Sequence, residues 1–251
     1  VRIGGSEGRV KATGRGLAFC IEEWFKDRGE SVAGNRFIVQ GFGNVGSVAA
    51  ELLVAMGAKC VAVQDADGTV YDPNGIDVAK LAAHVDRPDN LRRSVVGYTE
   101  AQAIGLRDFW DVDAEICVPA ALGDAIRSDT AERLKCKLVA EGANRPTSPE
   151  ADAVLARRNI AVIPDIIGNA GGVTASYYEW IQNKRMEHWS ETEVNTRLER
   201  AIKGNYHLIQ DIAKNRPRRT EGHDSRGFVV GREVPVRVAA MVSPSPRCRA
   251  R

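Results

Sequence analysis

The sequence predicts an α/β protein with a doubly wound parallel sheet, and three observations support this. First, short β-prone apolar runs alternate with helix-period segments through the middle of the 251-residue chain. Second, residues 36–46 (RFIVQGFGNVG) indicate a strand that runs directly into a glycine turn. Third, polar or glycine-rich phrases follow several predicted strands, at the edge where open parallel sheets bind ligands. We therefore expect a Rossmann-like sheet with flanking C-terminal helices and one composite ligand site.

The glycine turn has the spacing of a dinucleotide-binding motif. Gly41 is expected in the tight turn, Gly43 where a pyrophosphate approaches the backbone, and Gly46 where helix and strand pack closely. The helix-period segment that follows would present its N-terminal N–H groups to the phosphates. A second predicted strand, residues 59–64, ends at Asp65, which lies 19 residues beyond Gly46 and suits a ribose hydroxyl. The alternative is a glycine-rich turn in another kind of α/β unit, which the strand, helix and acid together disfavour.

The charges after this second strand favour NAD over NADP as the cofactor. Asp65 and Asp67 put two carboxylates, and no Arg or Lys, in the phrase where a 2′-phosphate would lie. Repulsion between like charges then disfavours the phosphate. We therefore predict NAD.

The remaining elements follow from periodicity and from helix and turn signals. The phrase from Thr147 to Glu150 has a hydroxyl cap, a proline in the first turn and a glutamate in capping-box position. Residues 67–75 carry two turn signals around a few β-prone residues and are expected to form a surface excursion. Helices are predicted over residues 12–28, 48–56, 77–84, 147–158, 171–181 and 191–212, and further strands over residues 114–118, 137–140 and 159–163.

The chain is expected to divide into three parts. Residues 1–33 would form a hinge segment and helix that link to a substrate domain absent from this sequence. Residues 34–185 would form the dinucleotide-binding domain, and residues 186–251 the C-terminal helices and an irregular basic tail. In that tail Arg216, Arg218 and Arg219 are compatible with an anion contact or with a solvated loop, and the absence of interleaved aromatic residues favours the loop.

Composition excludes several classes of protein. The 35 basic and 33 acidic residues give a net charge of +2, which does not indicate a nucleic-acid or membrane surface. No signal peptide is recognisable, and no run of 18 apolar residues occurs. The five cysteines are scattered, without a CxxC motif or a histidine at metal-binding spacing. We therefore expect buried, reduced thiols, no metal site and a cytoplasmic location.

Five phrases resemble the glutamate/leucine/phenylalanine/valine dehydrogenase family, most closely its glutamate-specific members. They cover the chain, in the order typical of the family, from its start to about residue 183. The resemblance implies reversible, nicotinamide-dependent oxidative deamination of an amino acid, here L-glutamate to 2-oxoglutarate and ammonia. The phrases are residues 4–16 (GGSEGRVKATGRG), 39–46 (VQGFGNVG), 118–122 (VPAAL), 140–151 (AEGANRPTSPEA) and 164–180 (PDIIGNAGGVTASYYEW).

The resemblance also implies roles for single residues in cofactor binding. Thr13 would bond the nicotinamide carboxamide, and Asn44 and Val45 would contact the phosphates and ribose. Asn144 and Asn169 would line the nicotinamide side of the cleft. Each has a structural alternative, since Thr13 could cap the first helix and an asparagine beside glycine is often a turn residue.

Ala120 is included among the cofactor contacts, because it follows the strand predicted over residues 114–118 in the VPAAL phrase.

Substrate choice is expected to rest on Ser176 and Val173. In glutamate-specific relatives a serine at the position of Ser176 bonds the side-chain carboxylate of the substrate, and Val173 would form a wall of the same pocket. A buried hydroxyl favours a polar over an aliphatic substrate. The alternative is a helix serine that bonds its own backbone.

No catalytic residue is assigned in this chain. The family's catalytic lysine and aspartate, and the lysine that pairs with the substrate carboxylate, belong to a substrate domain that precedes the GRVKATG phrase. The expected function is therefore the NAD-binding portion of a glutamate dehydrogenase-like enzyme, which would be a homo-oligomer when complete. The alternatives are leucine, phenylalanine or valine specificity, a catalytically inactive dinucleotide-binding module, and a gene fragment.

Overall fold

The structure, a computed structural model, describes residues 5–215. The predictions for the arginine-rich tail, for Cys248 and for the last residues lie outside this range. The strands are β1 (Arg36–Gln40), β2 (Lys59–Gln64), β3 (Thr69–Tyr71), β4 (Gln102–Ile104), β5 (Ile116–Pro119), β6 (Leu138–Ala140) and β7 (Ala161–Ile163). The helices are α1 (Ala12–Lys26), α2 (Gly46–Ala55), α3 (Val78–Val85), α4 (Ser128–Arg133), α5 (Pro149–Arg157), α6 (Asp165–Gly168), α7 (Ala170–Arg185) and α8 (Glu191–Asn215).

The strands form one sheet in the order β4-β3-β2-β1-β5-β6-β7. Strands β2, β1, β5, β6 and β7 are parallel, with Gln40 of β1 level with Gln64 of β2 and with Pro119 of β5. The strand order reverses between β1 and β5, which makes this a doubly wound sheet with a switch point at the carboxyl end of β1. The predicted fold class is confirmed.

The other edge of the sheet differs from the prediction. Residues 67–75 do not simply form a surface excursion, because β3 pairs antiparallel with β2 and β4 pairs antiparallel with β3. Each of these strands has three residues, and Val70 is their one fully buried apolar side chain, while Tyr71 and Ile104 are partly buried against the core. Such short strands carry too little alternation for a sequence pattern to show them.

Two apolar layers cover the two faces of the sheet. On one face α1, α2 and α3 bury Leu17, Phe25, Leu53 and Leu81 in a cluster that includes strand residues, and α8 packs Ile202 of the same cluster against α1. On the other, Phe109, Leu134 and Leu155 are fully or almost fully buried. Each such side chain contributes about 1.5–3 kcal/mol through the hydrophobic effect.

The four cysteines in the described range, Cys20, Cys60, Cys117 and Cys136, are free and buried, as predicted. Burial raises the pKa of Cys20 to about 12, and the negative charge of Glu23 adds to this. The group is therefore a neutral thiol at physiological pH. Among residues 5–215 no helix is both long and apolar enough to cross a bilayer.

Glycines allow three helices to pack backbone against backbone near their N-termini. A Cβ on Gly14 of α1 would lie 2.7 Å from the carbonyl oxygen of Val45, just before α2. A Cβ on Gly16 would lie 3.1 Å from Cα of Gly171 in α7, and one on Gly171 would lie 2.1 Å from the carbonyl oxygen of Ala12. The starts of α1, α2 and α7 are therefore brought together.

The start of α5 differs in detail from the capping box proposed for Thr147 and Glu150. The N-cap is Ser148, whose Oγ accepts a hydrogen bond from the Ala151 N–H at 3.3 Å. Proline stands at the first helical position, as predicted. Thr147 is 5% exposed, and its Oγ has no hydrogen-bond partner among the described residues. Two consecutive hydroxyl residues made the cap ambiguous in sequence.

Charged side chains join α1 to α8 where the long C-terminal helix crosses it. The Nζ of Lys203 lies 2.7 Å from Oε2 of Glu22 and 3.2 Å from Oε1 of Glu23. Burial acts to raise the pKa of both glutamates, but the hydrogen bonds and charges of Lys203 and Lys26 outweigh it, so the pKa of each is lowered. The ion pairs therefore favour the folded state when the carboxylates are ionised.

The glycine packing predicts opposite effects for two glycine-to-alanine changes. Gly171→Ala introduces a methyl group against the backbone of α1 and is expected to lower the free energy of unfolding by about 1–3 kcal/mol. Gly204→Ala, on the exposed face of α8 with no atom within 4 Å of the new methyl group, is expected to raise it by about 1 kcal/mol. Urea denaturation measures both. A Gly171→Ala chain as stable as wild type would contradict the packing.

The pairs at Lys203 predict a pH-dependent loss of stability. Because the glutamate pKa values are lower in the folded than in the unfolded chain, the stabilisation is present above their ordinary value of 4.5 and is lost as the pH falls through the folded value. Lys203→Met is therefore expected to lower the free energy of unfolding by about 1–2 kcal/mol at neutral pH, and by less near pH 4.

Urea denaturation at both pH values tests this, with Lys80→Met as the control, since Lys80 forms an exposed pair with Glu100. A Lys203→Met effect that is the same at both pH values would show that the ion pairs are not its cause.

Candidate functional site

The glycine turn lies at the switch point of the sheet. Gly41, immediately after β1, has φ +91°, a left-handed conformation that favours glycine. A Cβ at this position would lie 2.7 Å from Cα of Ala121, which follows β5. The turns after β1 and β5 are thus in direct contact, and a residue larger than glycine would separate them.

The other two glycines of the motif have the surroundings that their expected roles require. Gly43 is exposed, and a Cβ there would meet no atom within 4 Å, so the backbone is open to a ligand. A Cβ on Gly46 would lie 1.8 Å from the carbonyl oxygen of Gly41, which fixes the start of α2 against the turn. The Ser47 N–H donates to the Gly43 carbonyl oxygen at 2.9 Å. The turn therefore presents accessible backbone at the N-terminus of a helix, which is an arrangement that binds phosphate.

Asn44, Val45 and Ala120 surround this turn. Asn44 is exposed beside Gly43. A Cβ on Gly142, after β6, would lie 3.0 Å from Cγ1 of Val45 and 3.2 Å from Cβ of Ala120. The turns after β1, β5 and β6 are therefore side by side, and the side chains of Val45 and Ala120 lie between them.

Thr13 lies at the start of α1 but does not cap it. The N-cap position is Lys11, without a side-chain hydrogen bond, and Thr13 is the second helical residue. A Cβ on Gly172 of α7 would lie 2.6 Å from the Oγ of Thr13. The helix-cap alternative is therefore not observed, and the hydroxyl lies beside the N-terminal turn of α7.

Asn144 and Asn169 are brought together although 25 residues separate them. The Nδ2 of Asn169 donates to Oδ1 of Asn144 at 2.6 Å. This bond joins the loop after β6 to the junction of α6 and α7. Asn144 keeps its amide N–H donors and Asn169 its carbonyl acceptor.

Two acids that sequence analysis left without a role hold these segments in place. Glu141 is completely buried, and its Oε2 accepts a hydrogen bond from the Asp165 N–H at 2.8 Å, at the start of α6. Oδ2 of Asp165 accepts from the Arg145 N–H at 2.8 Å, and Arg145 has φ +45°. The acids thus connect the β6 loop to α6. The signal in the sequence was the position of the glutamate directly after an apolar strand. A side chain there is expected to be buried, and a buried carboxylate needs hydrogen-bond partners.

Ser176 and Val173 lie on α7, one turn apart. Ser176 is half-buried, and its Oγ donates to the Gly172 carbonyl oxygen at 3.1 Å, which is the backbone bond of the alternative interpretation. Val173 is 70% exposed and lines the mouth of a cavity of about 810 Å³. Other residues around this cavity are Asp124, Asn144, Arg145, Thr147, Asp165 and Asn169.

A smaller cavity, of about 230 Å³, lies at the end of β2 beside the glycine turn. Asp65 lines it, and its contact with a ribose stays a prediction. Its carboxylate already accepts three backbone hydrogen bonds: Oδ1 from the N–H groups of Asp67 and Gly68 at 2.8 and 2.9 Å, and Oδ2 from Val95 at 2.7 Å. The residues around the cavity include Gly43, Asn44, Ser47, Asp65, Asp86 and Arg93.

The phrase after β2 has no basic residue, but two arginines from further along the chain lie at this position. Arg93 lines the same cavity, and Nε of Arg92 lies 3.2 Å from Oδ2 of Asp67. Both arginines are more than 20 residues beyond Asp65 and arrive through the hydrogen bond from Val95 to Asp65. The charge argument considered only residues adjacent to Asp65 in the sequence, so it could not identify these arginines.

Comparison with known proteins gives a consistent result. The family model of the glutamate/leucine/phenylalanine/valine dehydrogenases matches residues 4–227. An NAD-specific glutamate dehydrogenase of Staphylococcus aureus (strain COL) is 39% identical over 214 residues, which are 85% of this chain and 50% of the relative. The chain therefore spans about half the length of the curated relatives that it matches.

Solved structures of similar fold agree. A hetero-hexameric glutamate dehydrogenase from Thermus thermophilus in a leucine-bound form has a TM-score of 0.77 and 31% identity, over 95% of this chain and 51% of that one. Plasmodium falciparum glutamate dehydrogenase 2 has a TM-score of 0.78 and 30% identity, over 84% of this chain and 48% of that one. The family match, the sequence identity and the shared fold show that this chain belongs to the glutamate/leucine/phenylalanine/valine dehydrogenase family.

Proposed function

We propose that the chain binds NAD across the carboxyl edge of its sheet, as the cofactor-binding part of an enzyme that interconverts L-glutamate with 2-oxoglutarate and ammonia. The observation that carries the proposal is the glycine turn at the switch point, with the backbone of Gly43 open at the N-terminus of α2. The adenosine would occupy the cavity at Asp65, and the nicotinamide would lie toward Thr13.

Several residues of this chain suit the nicotinamide end. When bound, the nicotinamide exchanges a hydride with the Cα of the amino acid. Its carboxamide has one donor and one acceptor group, and Asn144 offers an N–H donor and Asn169 a carbonyl acceptor to match them. The Thr13 hydroxyl would add a third polar contact. These groups would orient the ring and perform no chemistry themselves.

The choice of NAD is supported by the relatives and by charge. The Staphylococcus aureus relatives are named NAD-specific. The smaller cavity is lined by two carboxylates, Asp65 and Asp86, and by one guanidinium, that of Arg93. A 2′-phosphate would therefore enter a site where negative charge predominates.

The other half of the relatives has no counterpart in this sequence, and we propose that it supplies the catalytic lysine and aspartate. A row of exposed apolar side chains on α7 is the surface that would face it: Val173, Tyr177 and Trp180 are 70%, 51% and 55% exposed. The complete enzyme would be a cytoplasmic homo-oligomer acting on small molecules. The Thermus thermophilus relative, described as hetero-hexameric, supports assembly into oligomers.

An aliphatic amino acid is the second candidate substrate. A carboxylate only accepts hydrogen bonds, so Ser176 must give up its bond to the Gly172 carbonyl oxygen before it can donate to glutamate. Val173 and Ile166 add apolar surface to the large cavity. The glutamate proposal therefore requires the Ser176 hydroxyl to rotate when the substrate binds.

The cofactor proposal predicts that Gly43→Val weakens NAD binding about tenfold or more, because the side chain fills the space of the pyrophosphate. The fold should tolerate it, since the position is exposed, has no neighbour within 4 Å and does not have a positive φ. Calorimetric titration of the chain with NAD measures this. Gly204→Val on α8 is the matched control and should bind NAD like wild type. If the wild-type chain does not bind NAD, the proposal is wrong.

The substrate proposal predicts that Ser176→Ala lowers the preference for glutamate over leucine about tenfold, since one hydrogen bond to a charged group is lost. The measurement is the ratio of kcat/KM values for the two amino acids. The chain would be joined to the half of the Staphylococcus aureus relative that it does not match. Thr196→Ala is the control, because its hydroxyl makes the same backbone bond on α8. An unchanged ratio in an active chimera would show that Ser176 does not set the preference, and a chimera that prefers leucine before the change would favour the aliphatic alternative.

A further inference from the structure

The loop that follows α3 forms the outer wall of the smaller cavity, and Asn90 holds it in shape. The Nδ2 of Asn90 donates to the carbonyl oxygens of Ser94 and His84 at 2.8 and 3.2 Å, and its Oδ1 accepts from the Ser94 N–H at 3.1 Å. In addition, the Val95 N–H donates a hydrogen bond to Oδ2 of Asp65. The loop is therefore fixed both to itself and to the end of β2.

Arg93 is placed by this loop in an unusual conformation. Its φ is +53°, in the left-handed region that residues other than glycine rarely adopt. Its N–H donates to the Asn90 carbonyl oxygen at 2.9 Å, so the surrounding bonds enforce this geometry. Backbone strain that a structure holds in place often marks a functional position. In this loop the strained backbone places Arg93 at the smaller cavity, which Asp65 also lines.

The guanidinium of Arg93 is paired with the carboxylate of Asp86. Asp86 is the C-cap residue of α3, where the helix dipole disfavours a negative charge. Stabilisation of α3 therefore does not explain why a carboxylate stands at this position. Both side chains are largely exposed, 71% for Arg93 and 62% for Asp86, so the pair contributes little to folding. Both line the cavity.

We propose that Asp86 is a residue that determines cofactor specificity. By pairing with Arg93 it keeps the guanidinium from a 2′-phosphate, and its own charge repels that phosphate. Without Asp86 the cavity would contain an arginine suited to bind the phosphate of NADP. Rejection of NADP is thus assigned to Asp86 together with Asp65, and Arg93 is a latent phosphate-binding residue. This inference rests on the proposal that the cavity takes the adenosine of NAD.

The test is calorimetric titration of the chain with NAD and with NADP. Asp86→Ala is expected to raise the affinity for NADP relative to NAD about tenfold, because Arg93 becomes available for a charge-assisted bond. The double variant Asp86→Ala/Arg93→Ala should lose most of that gain. Asp89→Ala is the matched control: it removes an exposed carboxylate from the same loop, where it pairs with Arg87, and should leave the ratio as in wild type.

The outcomes separate the two proposals. If wild type binds NAD and Asp86→Ala leaves the NADP to NAD ratio unchanged, the inference is overturned and the proposed function stands. A gain that persists in the double variant also overturns it, since Arg93 would then have no part. If wild type binds neither dinucleotide, the proposed function and the inference both fail. Urea denaturation of each variant shows whether the fold is retained.

Discussion

A methyl group on Gly171 of α7 would lie 2.1 Å from the carbonyl oxygen of Ala12 in α1, and this contact illustrates the constraint on which the site depends. Helices that touch through side chains can shift by repacking them, whereas helices that touch through backbone cannot. Gly14 and Gly46 make comparable contacts at the start of α2. The N-termini of α1, α2 and α7 are therefore fixed relative to the glycine turn. Their helix dipoles favour negative charge at that edge.

A second constraint is a buried polar group, the carboxylate of Glu141. Glu141 has no exposed surface, yet it lies at the end of a strand beside a ligand edge. A buried carboxylate is costly unless it is hydrogen-bonded, and the Asp165 N–H is one of its partners. Asp165 in turn bonds the Arg145 N–H. The two acids therefore determine where Asn144 and Asn169 meet. They thereby fix the geometry of this part of the cleft.

The sequence predicted the long elements well because long periodic patterns are informative. α1 was expected over residues 12–28 and occupies Ala12–Lys26, and α8 was expected over residues 191–212 and occupies Glu191–Asn215. The glycine positions were predictable for another reason, since a phosphate-binding turn specifies the backbone conformation residue by residue. The short edge strands β3 and β4 and the four-residue α6 carry too few residues for any pattern.

What could not be predicted at the site depends on contacts between distant residues. Arg93 reaches the cavity through a loop that Asn90 holds in shape and that a hydrogen bond from Val95 joins to Asp65. Asn144 and Asn169 could be assigned to one cleft from the family phrases, but their mutual hydrogen bond follows from the loop geometry that Asp165 imposes. Likewise the Ser176 hydroxyl can bond either a substrate or its own helix, and only the structure shows which bond it makes in this state.

In the proposed cofactor site, Asp65 and Asp86 would divide two tasks between two carboxylates. Asp65 accepts three backbone hydrogen bonds, so of the roughly four acceptor directions of a carboxylate about one remains for a ribose hydroxyl. Its orientation is fixed before a ligand arrives, which reduces the entropy lost on binding. Replacing Asp65 would also release the loop that carries Arg93, so binding and structure would change together. Asp86 is exposed and holds one guanidinium, and it can change selectivity while the backbone of the pocket stays in place.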